Sequence, residues 1–173
     1  MQGVSVRRES SSDIKAVDVV HMSAFEGEAE VGLIDALRQS VGFDPALSLV
    51  AEFHGRIVGH VLLTKARLQR ERDGVDVLAL APLAVVPSQS HRGIGSSLVN
   101  AAVEAGRSQG YGAIVVIGHP EFYRRLGFSS AADWGLRCNL PVPAEAVTAI
   151  ELNPGCLKGG GTVVYPAQFS SIY

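Results

Sequence analysis

The sequence predicts an α+β fold in which a mostly antiparallel sheet carries one central parallel strand pair. Two β-rich segments, 47–53 and 56–67, flank a His54-Gly55 turn and indicate a hairpin. Residues 75–118 then follow the order strand, loop, helix, strand, which predicts a βαβ unit with a right-handed crossover. Further short β-rich segments follow residue 128, and they would extend the sheet.

The elements before the hairpin are one strand and two helices. Val4–Arg8 alternates weakly between apolar and polar residues and is typical of an edge strand. Asp13 is a candidate N-cap for a helix whose apolar residues recur at helical spacing up to Ala24. A second helix is predicted over 28–39, where apolar residues again lie near helical spacing.

The central unit begins with a strand over 75–86, which Pro87 ends because proline cannot donate to a strand ladder. A helix is predicted from Ile94, with Gly110 just past its last turn. Ala113–Ile117 is apolar throughout, as in a strand that is buried on both faces. A short helix over 120–126 follows, and the later strands are predicted at 136–139, 147–152 and 162–165.

Composition and charge limit the class of protein. The chain has 173 residues, of which 47% are apolar and 18% charged, so we expect one globular domain over 1–173 with a core of its own. The net charge is -2 and there is no Lys/Arg block, so nucleic acid is not an expected partner. Since no apolar run approaches about 20 residues, no membrane span is expected.

Location and metal content are predicted from the start of the chain and from its cysteines. The N-terminal residues lack the basic start and apolar stretch of a secretion signal, which predicts a cytoplasmic protein. Cys138 and Cys156 have no metal-ligand spacing, so we expect two free thiols and no metal site.

The loop between the third strand and the long helix is a candidate anion site. It contains Gly93 and Gly95, beside the basic residues His91 and Arg92. The start of a helix leaves backbone N–H groups unpaired and carries partial positive charge, which suits a phosphate. The alternative is that these glycines only relieve crowding in a strand-to-helix turn. A P-loop is excluded because Ser96 follows Gly95 where lysine is required, and a dinucleotide fingerprint is excluded because Leu98 replaces its third glycine.

In this loop the sequence resembles the GNAT acyltransferase superfamily, whose phosphate loop has the pattern Gln/Arg-x-x-Gly-x-Gly/Ala. Gly93 and Gly95 match its glycines, and Ser90 departs from its first position. The run Tyr123-Arg124-Arg125-Leu126-Gly127-Phe128 resembles a second family signature, and the order of elements agrees from Val4 to Phe128. The runs 58–61 and 118–123 resemble a branch of small bacterial N-acetyltransferases with poorly defined acceptors.

The resemblance implies a GNAT-like fold, in which the central parallel pair is splayed, and acetyl-CoA as the acyl donor. Backbone groups of strand residues would bind the pantetheine arm as an added strand does, and loop residues would surround the diphosphate. The cofactor residues implied in this way are Leu83, Ala84, Val85, His91, Arg92, Gly93, Ile94, Gly95 and Ser96. For the strand residues, a role in the core is the alternative, and both roles are compatible.

The implied reaction moves an acetyl group to an amine by direct attack in a ternary complex. Tyr123 is the candidate acid for the departing thiolate, because a phenol with a pKa of about 10 stays protonated at neutral pH. The alternative is a tyrosine on a short helix with its hydroxyl at the surface. By resemblance, the N–H of Val85 is the expected donor to the thioester oxygen.

No general base is assigned. His60, Glu26, Glu28, Glu52 and His119 are candidates, each with a structural or solvated alternative, and a water relay or a neutral acceptor would also serve. Asp76 lies too near the start of its strand to serve.

The acceptor also stays open, between a small-molecule and a peptide amine. The helices before residue 40 would border its site, with Phe25 and Glu28 as candidate contacts. A non-catalytic acyl-CoA-binding module and an interaction protein whose glycines only serve turns are the alternative functions. Oligomeric state is open as well, with a homodimer among the alternatives.

Overall fold

The computed structural model describes residues 3–25, 27–90 and 92–173. Within these ranges it contains four α-helices, several short 3₁₀ turns and nine strands. The helices are α1 (Ile14–Ala24), α2 (Ala29–Arg38), α3 (Ile94–Ser108) and α4 (Pro120–Arg124). The strands are β1 (Val4–Arg8), β2 (Ser48–Phe53), β3 (Arg56–Gln69), β4 (Gly74–Val85), β5 (Ala113–Ile117), β6 (Ser129–Ser130), β7 (Leu136–Cys138), β8 (Val147–Glu151) and β9 (Gly161–Val164).

The described strands form one mixed sheet, which confirms the predicted α+β class. Its main order is β1-β2-β3-β4-β5-β8-β6, and β9 pairs with the far end of the long strand β3. The central pair, β4 with β5, is parallel as predicted, and α3 makes the crossover between them. A second parallel pair joins β7 to β9, which the sequence pattern did not indicate.

Helices cover both faces of the sheet and enclose a core on each side. On one face α3 buries Leu98 and Val99 against the first strands. Gly59 lets this helix approach, because a Cβ at residue 59 would lie 2.8 Å from Leu98 Cδ1. On the other face α2 buries Leu33 and Leu37 in a core that also contains Phe169 near the C-terminus. Burial of apolar area on both faces is the main stabilising contribution to such a fold.

Two local predictions were refined by the structure. The turn between β2 and β3 is made by His54 and Gly55, whose φ angles of 51° and 77° suit the twist of a tight hairpin. Asp13 stands at the N-cap position of α1, but its carboxylate accepts hydrogen bonds from Ser10 N and Arg7 Nη1, both at 2.7 Å. It therefore stabilises the turn that enters the helix, and the Arg7 guanidinium keeps the pKa of Asp13 below its usual range.

Candidate active site

A gap opens between the two central strands, and it organises the rest of the site. Strands β4 and β5 are paired at Leu78 with Ile114 and at Ala79 with Val115. Beyond these residues β4 continues along β3, while β5 continues along β8. The two strands therefore diverge toward their carboxyl ends, the place where ligands of such sheets are usually bound.

Pro82 lies at the point of divergence. The pairing of β3 with β4 shifts there, so that Leu62 alone lies between the paired residues Val61 and Leu63 while Ala81 and Pro82 lie opposite it. An extra residue of this kind bends a strand and increases its twist. Proline also lacks the N–H that a neighbouring strand would need. The proline inside a long apolar segment was thus a sequence signal for the gap.

Past this bulge, the backbone of β4 offers hydrogen-bonding groups to the gap. Val86 N donates to Val58 O at 2.9 Å, and Val85 lies opposite Gly59 in the register. Since antiparallel pairing alternates between bonded and non-bonded pairs, the N–H and C=O of Val85 face away from β3. The same alternation turns the peptide groups of Leu83 toward the gap. Ala84, which lies between them, is instead paired with His60.

The glycine loop is held at the head of α3, beside the end of β4. Gly93 occupies the N-cap position with φ of 77°, a left-handed conformation that glycine adopts without strain. Ser97 N donates to Gly93 O at 3.0 Å, the first bond of the helix, so the N–H groups of Ile94, Gly95 and Ser96 have no partner within it.

These groups border a cavity of about 340 Å³ whose wall also includes Val85 and Arg125. Arg92 is exposed near this loop, with its guanidinium 5.6 Å from the centre of the Phe53 ring.

A second cavity, also of about 340 Å³, lies where β4 and β5 diverge. Leu83 and Val116 from the two strands contribute to its walls, together with Phe25 after α1 and Tyr173 at the C-terminus. Phe122 lines both cavities, so they are neighbours along β4. An extended ligand could therefore run from the glycine loop past Val85 and Leu83 into this second cavity.

Tyr123 lines the second cavity from α4. Its side chain is only 4% exposed and packs against Phe122 and Phe128, with ring centres 5.0 and 5.3 Å away. Burial raises the pKa of Tyr123 above its ordinary value, and the nearby Tyr173 adds to this shift. The phenol is thus protonated at neutral pH and lies in the cavity wall, which argues against a tyrosine whose hydroxyl simply points to bulk water.

The base candidate His60 does not line this cavity and belongs to a buried hydrogen-bonded series. His21 Nε2 is 2.8 Å from His60 Nδ1, and His60 Nε2 is 2.8 Å from Ser48 Oγ. Ser48 donates to Glu9 Oε2 at 2.7 Å, and Arg38 donates to the other oxygen of Glu9.

The direction of the bonds follows from the carboxylate at the Glu9 end, which can only accept. Ser48 must then accept from His60 Nε2–H, and His60 Nδ1 must accept from His21 Nε2–H. Both imidazoles are fully buried, and burial lowers the pKa of each, of His21 to about 4. This network, which we call the α1 network (Glu9, His21, Arg38, Ser48 and His60), joins α1 and α2 to β2, β3 and the residue that follows β1.

The remaining candidates are distributed over the surface and the cavity rim. Glu52 forms an ion pair with Arg7 at 2.8 Å, and Asp76 forms one with Arg67 at 3.1 Å. Glu28 is exposed and does not line the cavity, whereas His119 does line it. The candidates Glu26 and His91 lie outside the described residues.

The sequence analysis missed several cavity residues, and Glu30, Tyr173 and Arg125 are the ones with ionisable side chains. Glu30 and Tyr173 line the second cavity, and Arg125 lines the cavity at the glycine loop. Arg125 stands within the family-like run at 123–128 and could have been proposed from its position beside Tyr123. Glu30 and Tyr173 carry no local signal, because only the packing of α2 and the C-terminus against the sheet brings them to the cavity.

The chain belongs to the acetyltransferase (GNAT) family, whose model matches residues 14–128. This range contains the glycine loop, the diverging strands and Tyr123. Proteins of this family are acyltransferases, so the family predicted from the sequence is confirmed.

Relatives and solved structures agree with this assignment. The chain is 36% identical over 139 residues to the uncharacterized N-acetyltransferase YjhQ of Escherichia coli (strain K12), covering 80% of this chain and 75% of the relative. It is 32% identical to the uncharacterized N-acetyltransferase YhbS of the same organism, covering 95% and 98%. A crystal structure of E. coli YhbS in complex with CoA superposes with a TM-score of 0.90 at 29% identity, covering 98% and 93%. A Brucella melitensis family member in complex with acetyl-CoA gives a TM-score of 0.77 at 25% identity, covering 98% and 99%.

None of the helices in the described part of the chain combines the length and apolar character needed to cross a membrane.

Proposed function

We propose that the protein transfers an acetyl group from acetyl-CoA to an amine by direct attack, with Tyr123 as general acid and residues 1–173 acting as one domain. The observation that carries the proposal is the open edge of β4, which joins the glycine loop to the cavity that Tyr123 lines. The one-domain part is supported by β6 to β9, which follow the family match and complete the same sheet.

The described residues fit acetyl-CoA along its length. The unpaired N–H groups at the start of α3 suit the diphosphate, with Arg92 and Arg125 adding positive charge nearby. The outward-facing peptide groups of Leu83 and Val85 suit the amides of the pantetheine arm, which can pair with β4 as a strand would. His91 belongs to the same proposed phosphate site by its place in the sequence. Ala84 lies between Leu83 and Val85 on β4, and its pairing with His60 would hold their peptide groups in place.

When bound, acetyl-CoA supplies a thioester whose carbonyl carbon is attacked by the neutral amine, the C–S bond breaking to leave an amide and a thiolate. Val85 N–H would donate to the carbonyl oxygen as negative charge develops there, a contribution of about 10²–10³-fold in comparable sites. The Tyr123 hydroxyl, which burial keeps protonated, would hydrogen-bond to the sulfur and would pass its proton to it only as a proton returns to the phenol, because burial disfavours a free phenolate. The proton that the amine loses goes to water and restores the phenol, so the charges balance.

Steady-state kinetics of Tyr123→Phe tests the acid role. We expect kcat to fall about 10²-fold, while the KM for acetyl-CoA changes by no more than about threefold, because general acid help is needed only as the thiolate leaves. Tyr165→Phe is the matched control, since Tyr165 is also buried but does not line the cavity. An unchanged kcat in Tyr123→Phe would remove this residue from the mechanism.

Calorimetry with CoA tests the cofactor part separately. A dissociation constant weaker than about 1 mM would reject the proposed cofactor site. Tight CoA binding without thiol release from any acceptor would instead favour a non-catalytic acyl-CoA-binding module.

A further inference from the structure

The cavity where β4 and β5 diverge has one wall that lies outside the path proposed for the donor. Lining residues on β4, on β5 and on the segment through α4 border that path, which runs from the glycine loop toward Tyr123. The other described lining residues, which we call the acceptor wall, are Phe25 after α1, Glu30 on α2, and Ile172 and Tyr173 at the C-terminal end. An acceptor that meets the donor in this cavity would contact this wall.

Apolar groups make up most of the described lining. Phe25 and Ile172 contribute them to the acceptor wall, and Leu80, Val116 and Ile117 contribute them to the side formed by the strands. A polar group buried against such surfaces is unfavourable unless it is hydrogen-bonded, whereas burial of each methylene group is favourable. The cavity therefore favours an acceptor whose amine is attached to an apolar body.

The charge in the described lining has one sign among its acidic and strongly basic side chains. Glu30 is the single carboxylate there, and neither lysine nor arginine belongs to the lining. Glu30 takes part in none of the ion pairs of the described residues, and its Oε2 is buried without a hydrogen-bond partner among them. Its charge is therefore left to act on whatever enters the cavity.

This charge favours cations over anions wherever the acceptor nitrogen comes to lie. The cavity measures only about 340 Å³, and the interaction between two charges falls no faster than the inverse of their distance. An alkylamine is mostly protonated at neutral pH, so it is attracted into the cavity and gives a proton to water before its lone pair attacks. A carboxylate on the acceptor would be desolvated beside a like charge, with no guanidinium or ammonium in the described lining to bind it.

We infer that the acceptor is an amine whose other substituents are apolar and uncharged, and that Glu30 excludes amines with a carboxylate beside the nitrogen, such as free α-amino acids. This inference rests on the proposed function and adds the substrate class to it.

A series of alkylamines tests the apolar part of the inference by thiol release at saturating acetyl-CoA. Ethylamine, propylamine, butylamine and 3-methylbutylamine have nearly the same basicity, so differences between them report the apolar body. We expect kcat/KM to rise about fourfold for each added carbon, which is the factor that corresponds to burial of one methylene group. A flat series would overturn the inference.

Leucine and leucinamide test the charge part, because they share the apolar body of 3-methylbutylamine and differ from each other by the carboxylate. Values of kcat/KM are compared per neutral amine, since the two compounds differ in basicity. Leucine should be at least about tenfold poorer than leucinamide, owing to repulsion by Glu30 and to desolvation of its carboxylate. Equal use of the two compounds would overturn the inference.

Variants of Glu30 show whether this residue makes the distinction. Glu30→Gln should reduce the difference between leucine and leucinamide to about threefold or less, whereas Glu30→Asp should keep it. Asp35→Asn is the matched control and should also keep it, because it removes the same charge from an exposed position on α2 that does not line the cavity. A full difference that persists in Glu30→Gln would overturn the inference while leaving acetyl transfer intact.

Calorimetry of the CoA-loaded protein gives a second readout that does not need turnover. Here 3-methylbutylamine should bind at least about tenfold more tightly than leucine, and Glu30→Gln should narrow the gap. Equal binding of the two compounds to the native protein would overturn the inference. Failure of the protein to bind CoA at all would instead reject the proposed function, so the two failures are distinguishable.

Discussion

Beneath α1, five polar side chains bond to one another in series, whereas along the gap between β4 and β5 the polar groups face open space. In the α1 network the donors and acceptors are matched from His21 to Glu9, and the unpaired atoms are nitrogens of His21 and Arg38 at its two ends. By contrast, the N–H of Val85 points away from β3 at the gap, and Glu30 Oε2 in the wall of the adjoining cavity has no hydrogen-bond partner among the described residues.

The difference separates residues that stabilise the fold from residues that we propose bind ligands. When only the sequence is known, a histidine on a predicted strand, such as His60, is a candidate for a catalytic role. Its partners in the structure show instead that His60 is used to join β3 to β2 and α1. Glu30 has the opposite character, since a half-buried carboxylate without a partner contributes little to the fold.

His60→Leu should give the largest change in stability. The substitution leaves the imidazole of His21 without a partner and removes the donor from which the buried hydroxyl of Ser48 accepts, so we expect the free energy of unfolding to fall by about 3 kcal/mol. Urea denaturation at pH 7 measures this change. His54→Asn is the control, because His54 lies in the exposed β2–β3 turn with positive φ, which asparagine tolerates.

Kinetics of the same variant tests the comparison itself. If His60 is structural, kcat should stay near the native value at a temperature where His60→Leu is folded. A loss of turnover at a temperature where His60→Leu is folded would place the α1 network in the reaction and would contradict this distinction.

The pH dependence of stability should show the α1 network directly. The pKa of His21 is about 4 in the folded protein, below the value of about 6.5 expected in the unfolded chain. The unfolded state therefore binds more protons between these values, and stability falls as pH falls through this window. For His21 alone we expect a loss of about 2 kcal/mol between pH 7 and pH 5, with His60 adding to it in the same direction.

Urea denaturation at several pH values measures the slope. The slope should become smaller in His21→Gln, which keeps a polar side chain but cannot titrate. An unchanged slope in this variant would show that other groups govern the acid response.

Local sequence patterns predicted most of the fold but only part of the site. The hairpin, the βαβ unit and the glycine loop follow from periodicity and turn residues within short segments, and each lies where it was expected. The direction of the Val85 N–H depends on the register of β4 against β3, which no local pattern fixes. Glu30 and Tyr173 are 143 residues apart in the chain and meet only through tertiary packing, so their shared cavity could not be predicted.

Arg125→Ala should have the smallest effect of these variants. It tests whether the phosphate end of the proposed cofactor site contributes to binding separately from the rest of the site. Arg125 lines the cavity at the glycine loop but is itself exposed, so we expect the KM for acetyl-CoA to rise about tenfold with little change in kcat. Arg124→Ala is the matched control, since Arg124 is an exposed neighbour that does not line this cavity.

Acetyl-pantetheine, which lacks the diphosphate, separates a phosphate contact from a general effect on the loop. If Arg125 acts through the phosphates, its removal should not alter the kcat/KM for acetyl-pantetheine, because the shortened donor has nothing for the guanidinium to bind. An equal loss with both donors would mean that Arg125 supports α4, and through it Tyr123, without contacting the cofactor. The diphosphate would then be held by the backbone N–H groups of α3, whose partial charge no side-chain substitution removes.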